Sequence, residues 1–96
     1  MKALEQLIRH RSNLLALATR HRATRIRVFG SVVRGEDKPG SDIDLLVDFA
    51  PEASLLDLVG LQQDAEALLG RRVDVVTPEG VSPFLQERIL AEARPL

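Results

Sequence analysis

Three aspartates are the residues of this chain best suited to chemistry. Asp42 and Asp44 stand two apart in Ser41-Asp42-Ile43-Asp44-Leu45-Leu46-Val47-Asp48, a run whose aliphatic centre and polar ends predict a strand. On a strand the pleat sends residues i and i+2 to one face, about 7 Å apart along the chain. Two carboxylates so placed repel each other and raise their own pKa values unless a cation compensates, and hard oxygen ligands of this kind select magnesium or manganese. Taken alone, an Asp-x-Asp pair is more often a solvated strand end, so its surroundings decide. Asp74 lies in Val73-Asp74-Val75-Val76, a third predicted strand, and points opposite to Val73 and Val75. If that strand lies beside the first pair, three carboxylates converge, enough to hold two magnesium ions and neutralise a triphosphate. As an isolated edge charge, Asp74 would only discourage aggregation.

Upstream, Gly30-Ser31 falls where a short strand, Arg25 to Phe29, meets a helical turn starting at Ser31. Free amides and a hydroxyl at such a junction can bind an anion, and Gly30 has no side chain to obstruct it. A plain turn glycine and a plain helix cap would look the same. Gly30 and Gly35 have the spacing of the two P-loop glycines, but Glu36 stands where that motif needs lysine, so the P-loop reading fails. Arg34 fits either a phosphate contact or a solvated surface residue.

These residues need elements to hold them. Leu4, Leu7, Ile8, Leu14, Leu15 and Ala18 recur at helical spacing and predict one amphipathic helix from Met1 to about His21. Gly35, Pro39 and Gly40 around Glu36, Asp37 and Lys38 predict a solvated, turn-rich loop before the Asp42 strand. Ser54 with Asp57 forms a capping box, and an apolar helical face follows up to Gly70, a C-terminal cap. Arg71 to Thr77 reads as a strand, and Ser82-Pro83 opens a last helix carrying Phe84, Leu85, Ile89, Leu90 and Ala93. The expectation is an α+β fold in one domain over residues 1–96: a small mixed β-sheet of at least three strands with helices packed on it.

Composition narrows the class further. Thirteen Lys and Arg against fourteen Asp and Glu give a formal charge of -1, which disfavours coating or direct binding of DNA. There is no Cys, Trp or Tyr, which removes thiol chemistry and thiolate metal sites and leaves a poor platform for stacking bases. No run approaches the roughly 20 apolar residues of a membrane span, so no membrane partner is expected and the cytoplasm is the expected location. His10 and His21 read as surface residues, and the basic stretch Arg20, Arg22, Arg25 and Arg27 as a hydrated face.

Together, Gly30-Ser31, Arg34-Gly35, Ser41-Asp42-Ile43-Asp44-Leu45-Leu46-Val47 and Asp74 resemble the nucleotidyltransferases of the polymerase β superfamily, above all the minimal nucleotidyltransferases, the MntA-like antitoxins. The likeness runs from Ile26 to about Thr77, with Ile89-Leu90-Ala91-Glu92-Ala93 also similar; Val33 stands where alanine is frequent. The resemblance implies a polymerase β-type nucleotidyltransferase fold and the metal ligands Asp42, Asp44 and Asp74 for two magnesium ions. It implies a nucleotide seat at Gly30, Ser31, Arg34 and Ser41, with ATP as substrate. AMP would pass to a tyrosine hydroxyl of a HEPN-type ribonuclease toxin, expelling pyrophosphate, with Asp74 placed to take the proton. Two alternatives remain open: an antitoxin that neutralises its partner by binding alone, and a small-molecule adenylyltransferase working with a partner subunit.

Overall fold

A computed structural model describes residues 2–96. The expected first helix is two: α1 (Ala3–Arg9) and α2 (Arg11–Arg20), separated by His10 at φ -101°, ψ 15°. The polar run His10, Arg11, Ser12 and Asn13 offers nothing to the core, so each half docks its own apolar pair: Ala3 and Leu7, then Leu14 and Ala18. Next come β1 (Ala23–Phe29), the single turn α3 (Ser31–Arg34), β2 (Ile43–Phe49), α4 (Leu55–Leu69) and β3 (Val73–Val76). A 3₁₀ turn (Pro78–Gly80), α5 (Pro83–Glu92) and the two-residue strand β4 (Arg94–Pro95) complete the order. The expected caps of α4 are present: Ser54 and Asp57 form the reciprocal capping box, and Gly70 closes the helix in the left-handed region.

The sheet order is β3-β2-β1-β4, with β1 antiparallel to both β2 and β4, and β2 parallel to β3. A parallel pair cannot be joined by a tight turn, and α4 supplies the crossover. Ile26, Val28, Ile43, Leu45, Val47, Val73 and Val75 face α1, α2 and α4 and are buried with Leu61, Ala65 and Leu69. By the two-residue alternation of a strand, Asp44, Leu46, Asp48, Asp74 and Val76 point to the other face. Helices α1, α2 and α4 thus cover one side of the sheet, while the other carries the aspartates together with Leu46, which is fully buried there. The expected α+β architecture is the observed one, with one strand, β4, beyond the three foreseen.

The last helix differs from expectation in packing. None of its residues from Pro83 to Glu92 is buried, and Phe84 is 95% exposed. Its apolar side chains take no part in the core cluster, which the sheet and the helices α1 to α4 form among themselves. Among the described residues, no helix is long and apolar enough to cross a membrane.

Candidate active site

The parallel register sets Asp44 directly beside Asp74, across a strand spacing of about 4.8 Å. The adjacency that the sequence left open is therefore made by the α4 crossover, which brings two carboxylates 30 residues apart onto neighbouring positions of one face. Asp42 precedes β2 by one residue, rather than lying within it, and is two-fifths exposed; Arg72 Nε lies 4.0 Å from its Oδ1. The Asp44 carboxyl is pushed up to about 6, first by burial, then by the charges of Asp74 and Asp42, with Glu92 adding and Arg34 opposing. The strand pair thus concentrates negative charge, which Arg34 offsets only in part at Asp44.

Gly30 is fitted to that carboxylate. It adopts φ 79°, ψ -152°, and a Cβ built there would fall on Asp44 Oδ2. Both the positive φ and the absent side chain are therefore required, because any larger residue would displace Asp44. Ser31 opens α3, whose Val33 and Arg34 amides close on Gly30 O at 3.1 and 3.2 Å. The first amides of such a turn have no intrahelical partner, which is what an anion needs.

The loop between α3 and β2 is solvated as expected at Glu36 and Lys38, but not at Asp37. Asp37 is buried, and its Oδ2 accepts the Ala3 amide at 3.0 Å, which holds its carboxyl below the usual range. A short-range charge pattern could not reveal a partner 34 residues away. Ser41 Oγ accepts the Lys38 amide at 2.8 Å, while Arg71 Nη2 donates to Ser41 O at 2.9 Å and Lys38 O at 3.3 Å. These bonds pin the segment that delivers Asp42.

Arg34 is held by carboxylates on both sides. Its Nε donates to Glu36 and its Nη1 donates to Glu92 Oε1 at 2.5 Å, which raises its already high pKa. Glu92 is the site residue that reading the sequence missed. It lies 58 residues from Arg34 at the end of α5, and no local spacing signals the pair.

Two further expectations need correction. His21 is not a surface residue: it is 17% exposed, and its Nε2 lies 2.6 Å from Asp64 Oδ2. Arg27 does not belong to a hydrated face; it is 9% exposed, with Nη2 3.5 Å from Asp48 Oδ2. A concavity of about 710 Å³ between α1, Pro39–Gly40 and Leu69–Arg72 contains none of the three aspartates.

Among the described residues no group of three acidic or histidine side chains is arranged to hold a metal ion, so the expected convergence of Asp42, Asp44 and Asp74 into one ligand set is not seen. The donors nevertheless fit magnesium, which is commonly bound by one or two carboxylates with waters and substrate phosphates completing the shell. Uncompensated carboxylates around Asp44, and a Gly30 turn left bare beside them, are what such an ion and a phosphate would use.

A small sheet presenting paired aspartates against a glycine turn is the architecture of a phosphoryl- or nucleotidyl-transferring domain. The chain belongs to the nucleotidyltransferase domain family, whose pattern matches residues 11–96, and it is of the minimal, MntA-like kind. It is 48% identical over 67 residues to the protein adenylyltransferase MntA of Thermococcus cleftensis, covering 70% of this chain and 68% of that protein. A solved structure, described provisionally as a minimal nucleotidyltransferase, superposes with a TM-score of 0.88 at 50% identity, covering 100% of this chain and 97% of the other. The fold is shared too with a solved complex of a tri-AMPylated Shewanella oneidensis HEPN toxin and an MNT antitoxin, with a TM-score of 0.66 at 21% identity over 99% of this chain and 71% of the other. The protein is thus an enzyme of the nucleotidyltransferase type.

Proposed function

We propose that this protein is a magnesium-dependent protein adenylyltransferase that transfers AMP from ATP to a tyrosine hydroxyl of a HEPN-type ribonuclease toxin, acting in the cytoplasm as its antitoxin. The observation that carries the reading is the placement of Asp44 beside Asp74, with Asp42 adjacent and Gly30 bare against the Asp44 carboxylate. The names of the MntA relative and of the toxin–antitoxin complex support the choice of nucleotide and partner.

In this reading Asp42, Asp44 and Asp74 hold the metal, and Gly30, Ser31 and Arg34 receive the β and γ phosphates. Ser41 acts through the turn that presents Asp42. Magnesium, when bound, neutralises the triphosphate and polarises the α-phosphoryl group. The acceptor hydroxyl attacks the α phosphorus: an O–P bond forms, the bond to the bridging oxygen breaks, and pyrophosphate leaves with its electron pair. Asp74 takes the hydroxyl proton. Positioning and charge neutralisation supply most of the rate, since the chemistry asks little covalent help of the protein.

The test is transfer of α-phosphate label from each of the four nucleoside triphosphates, with magnesium, to a co-expressed HEPN partner. The Asp42→Asn, Asp44→Asn protein serves as control, and mass spectrometry locates the acceptor. Label from ATP on one partner tyrosine, absent in the control, is the expected result. A folded protein that binds its partner yet transfers nothing from any triphosphate would leave neutralisation by binding as the function.

A further inference from the structure

Arg34 stands between two carboxylates of unequal standing. Glu92 is 17% exposed and fixed at the end of α5, where β4 pairs with β1 and the Leu96 amide donates to Ile26 O at 3.2 Å. Glu36 is 62% exposed, on the loop just past α3. The Arg34 amide closes on Gly30 O at 3.2 Å, and the Asp44 carboxylate lies against Gly30. Arg34 is therefore beside the turn where the proposed function seats phosphates. A guanidinium offers a planar fork of donors that can engage a carboxylate on one edge and a phosphate on the other.

We infer that Glu92 is a positioning residue that anchors Arg34 for the triphosphate, and that Glu36 is an exchangeable partner whose place on the guanidinium a phosphate oxygen takes. This deepens the adenylyltransferase reading and rests on it. A largely sheltered anchor fixes one edge of the guanidinium and limits the rotamer entropy lost when phosphate arrives. A solvated partner on the other edge competes with phosphate for the same donors and is released to water at little cost. The two acidic residues thus oppose each other in effect on one ligand, although each carries the same charge. General electrostatics predicts the contrary: removing either negative charge near a polyanion should strengthen binding in both cases.

The test is equilibrium binding of magnesium-ATP, and separately of magnesium-tripolyphosphate, by titration calorimetry. It uses the wild-type chain, Glu36→Ala, Glu92→Ala and Glu92→Gln, each also combined with Arg34→Ala, with thermal unfolding to confirm the fold. Glu36→Ala is expected to tighten both ligands about threefold and Glu92→Ala to weaken both about fivefold, with Glu92→Gln between wild type and Glu92→Ala. In the Arg34→Ala background neither substitution should change the affinity. Tighter binding in Glu92→Ala, weaker binding in Glu36→Ala, or effects that persist without Arg34 would overturn the inference, as would a folded wild-type chain that binds neither ligand. Binding that follows the expected signs without any transfer to a HEPN partner would leave the clamp standing and remove the adenylyltransferase reading.

Discussion

At the scale of single residues, Asp44 links stability to pH. Its folded-state value near 6 stands above the ordinary 3.8, so the native state holds that proton more tightly than the unfolded chain does. The destabilisation is in full force above pH 6 and is relieved as pH falls from 6 toward 4. Metal-free protein should therefore gain stability as the buffer is taken from pH 7 to pH 5. Asp44→Asn should remove most of that dependence and stabilise the chelated protein at pH 7 by about 1 kcal/mol, a shift discounted because the carboxyl is partly solvated. Chemical denaturation in chelator at both pH values checks this; an Asn variant with the wild-type pH dependence would refute the assignment. Magnesium should reverse the ranking by stabilising wild type alone. Gly30→Ala acts on the same carboxylate from the other side, combining a positive φ with a Cβ set on Asp44 Oδ2. A cost of about 1–3 kcal/mol and loss of nucleotide transfer are expected, read by denaturation and by the label assay.

At the scale of elements, α2 and α4 are joined by a contact that composition concealed. A Cβ on Gly60 would lie 2.7 Å from His21 Cε1, so this glycine within α4 exists to admit the imidazole that meets Asp64. Helix propensity favours alanine over glycine by about 1 kcal/mol, whereas overpacking costs about 1–3 kcal/mol. Gly60→Ala should therefore destabilise the wild type and stabilise a His21→Ala variant by about 0.5–1 kcal/mol, a sign reversal that a double-mutant cycle of unfolding free energies reads directly. The same sheltering explains why His21 looked like a surface residue: its partner is 43 residues away. Asp37 is a parallel case, capping α1 from the loop before β2. Asp37→Ala should cost about 1–2 kcal/mol and also lower transfer, because the segment that presents Asp42 loses its anchor.

At the scale of the whole molecule, α1, α2 and α4 pack one sheet face and the other carries the aspartates, so in the proposed function the acceptor approaches from the acidic side. The apolar side chains left over lie on two helices: Phe84 of α5 is 95% exposed, and Leu55 and Leu56 in the first turn of α4 are 73% and 81% exposed. Since these side chains are already in water, Phe84→Ser should change the unfolding free energy of the isolated chain by less than about 0.5 kcal/mol. A much larger loss on denaturation would mean that α5 is packed more tightly than its exposure indicates.

The sequence by itself determined the parts that depend on near neighbours: the strand around Asp44, the glycine turn, the capping box of α4 and its Gly70 stop, each set by alternation, propensity or a hydrogen bond within four residues. It also carried the three aspartates, whose pattern with the glycine turn makes the family resemblance legible. Only the tertiary structure decided which strands are neighbours, and hence that Asp44 lies beside Asp74. It alone placed Glu92 on Arg34, Asp37 on α1, His21 against Gly60 and Arg27 with Asp48. The physical reason is range: backbone sterics and periodicity act over a few residues and are written locally, whereas burial and charge pairing depend on what the fold brings alongside, across separations that no local pattern records.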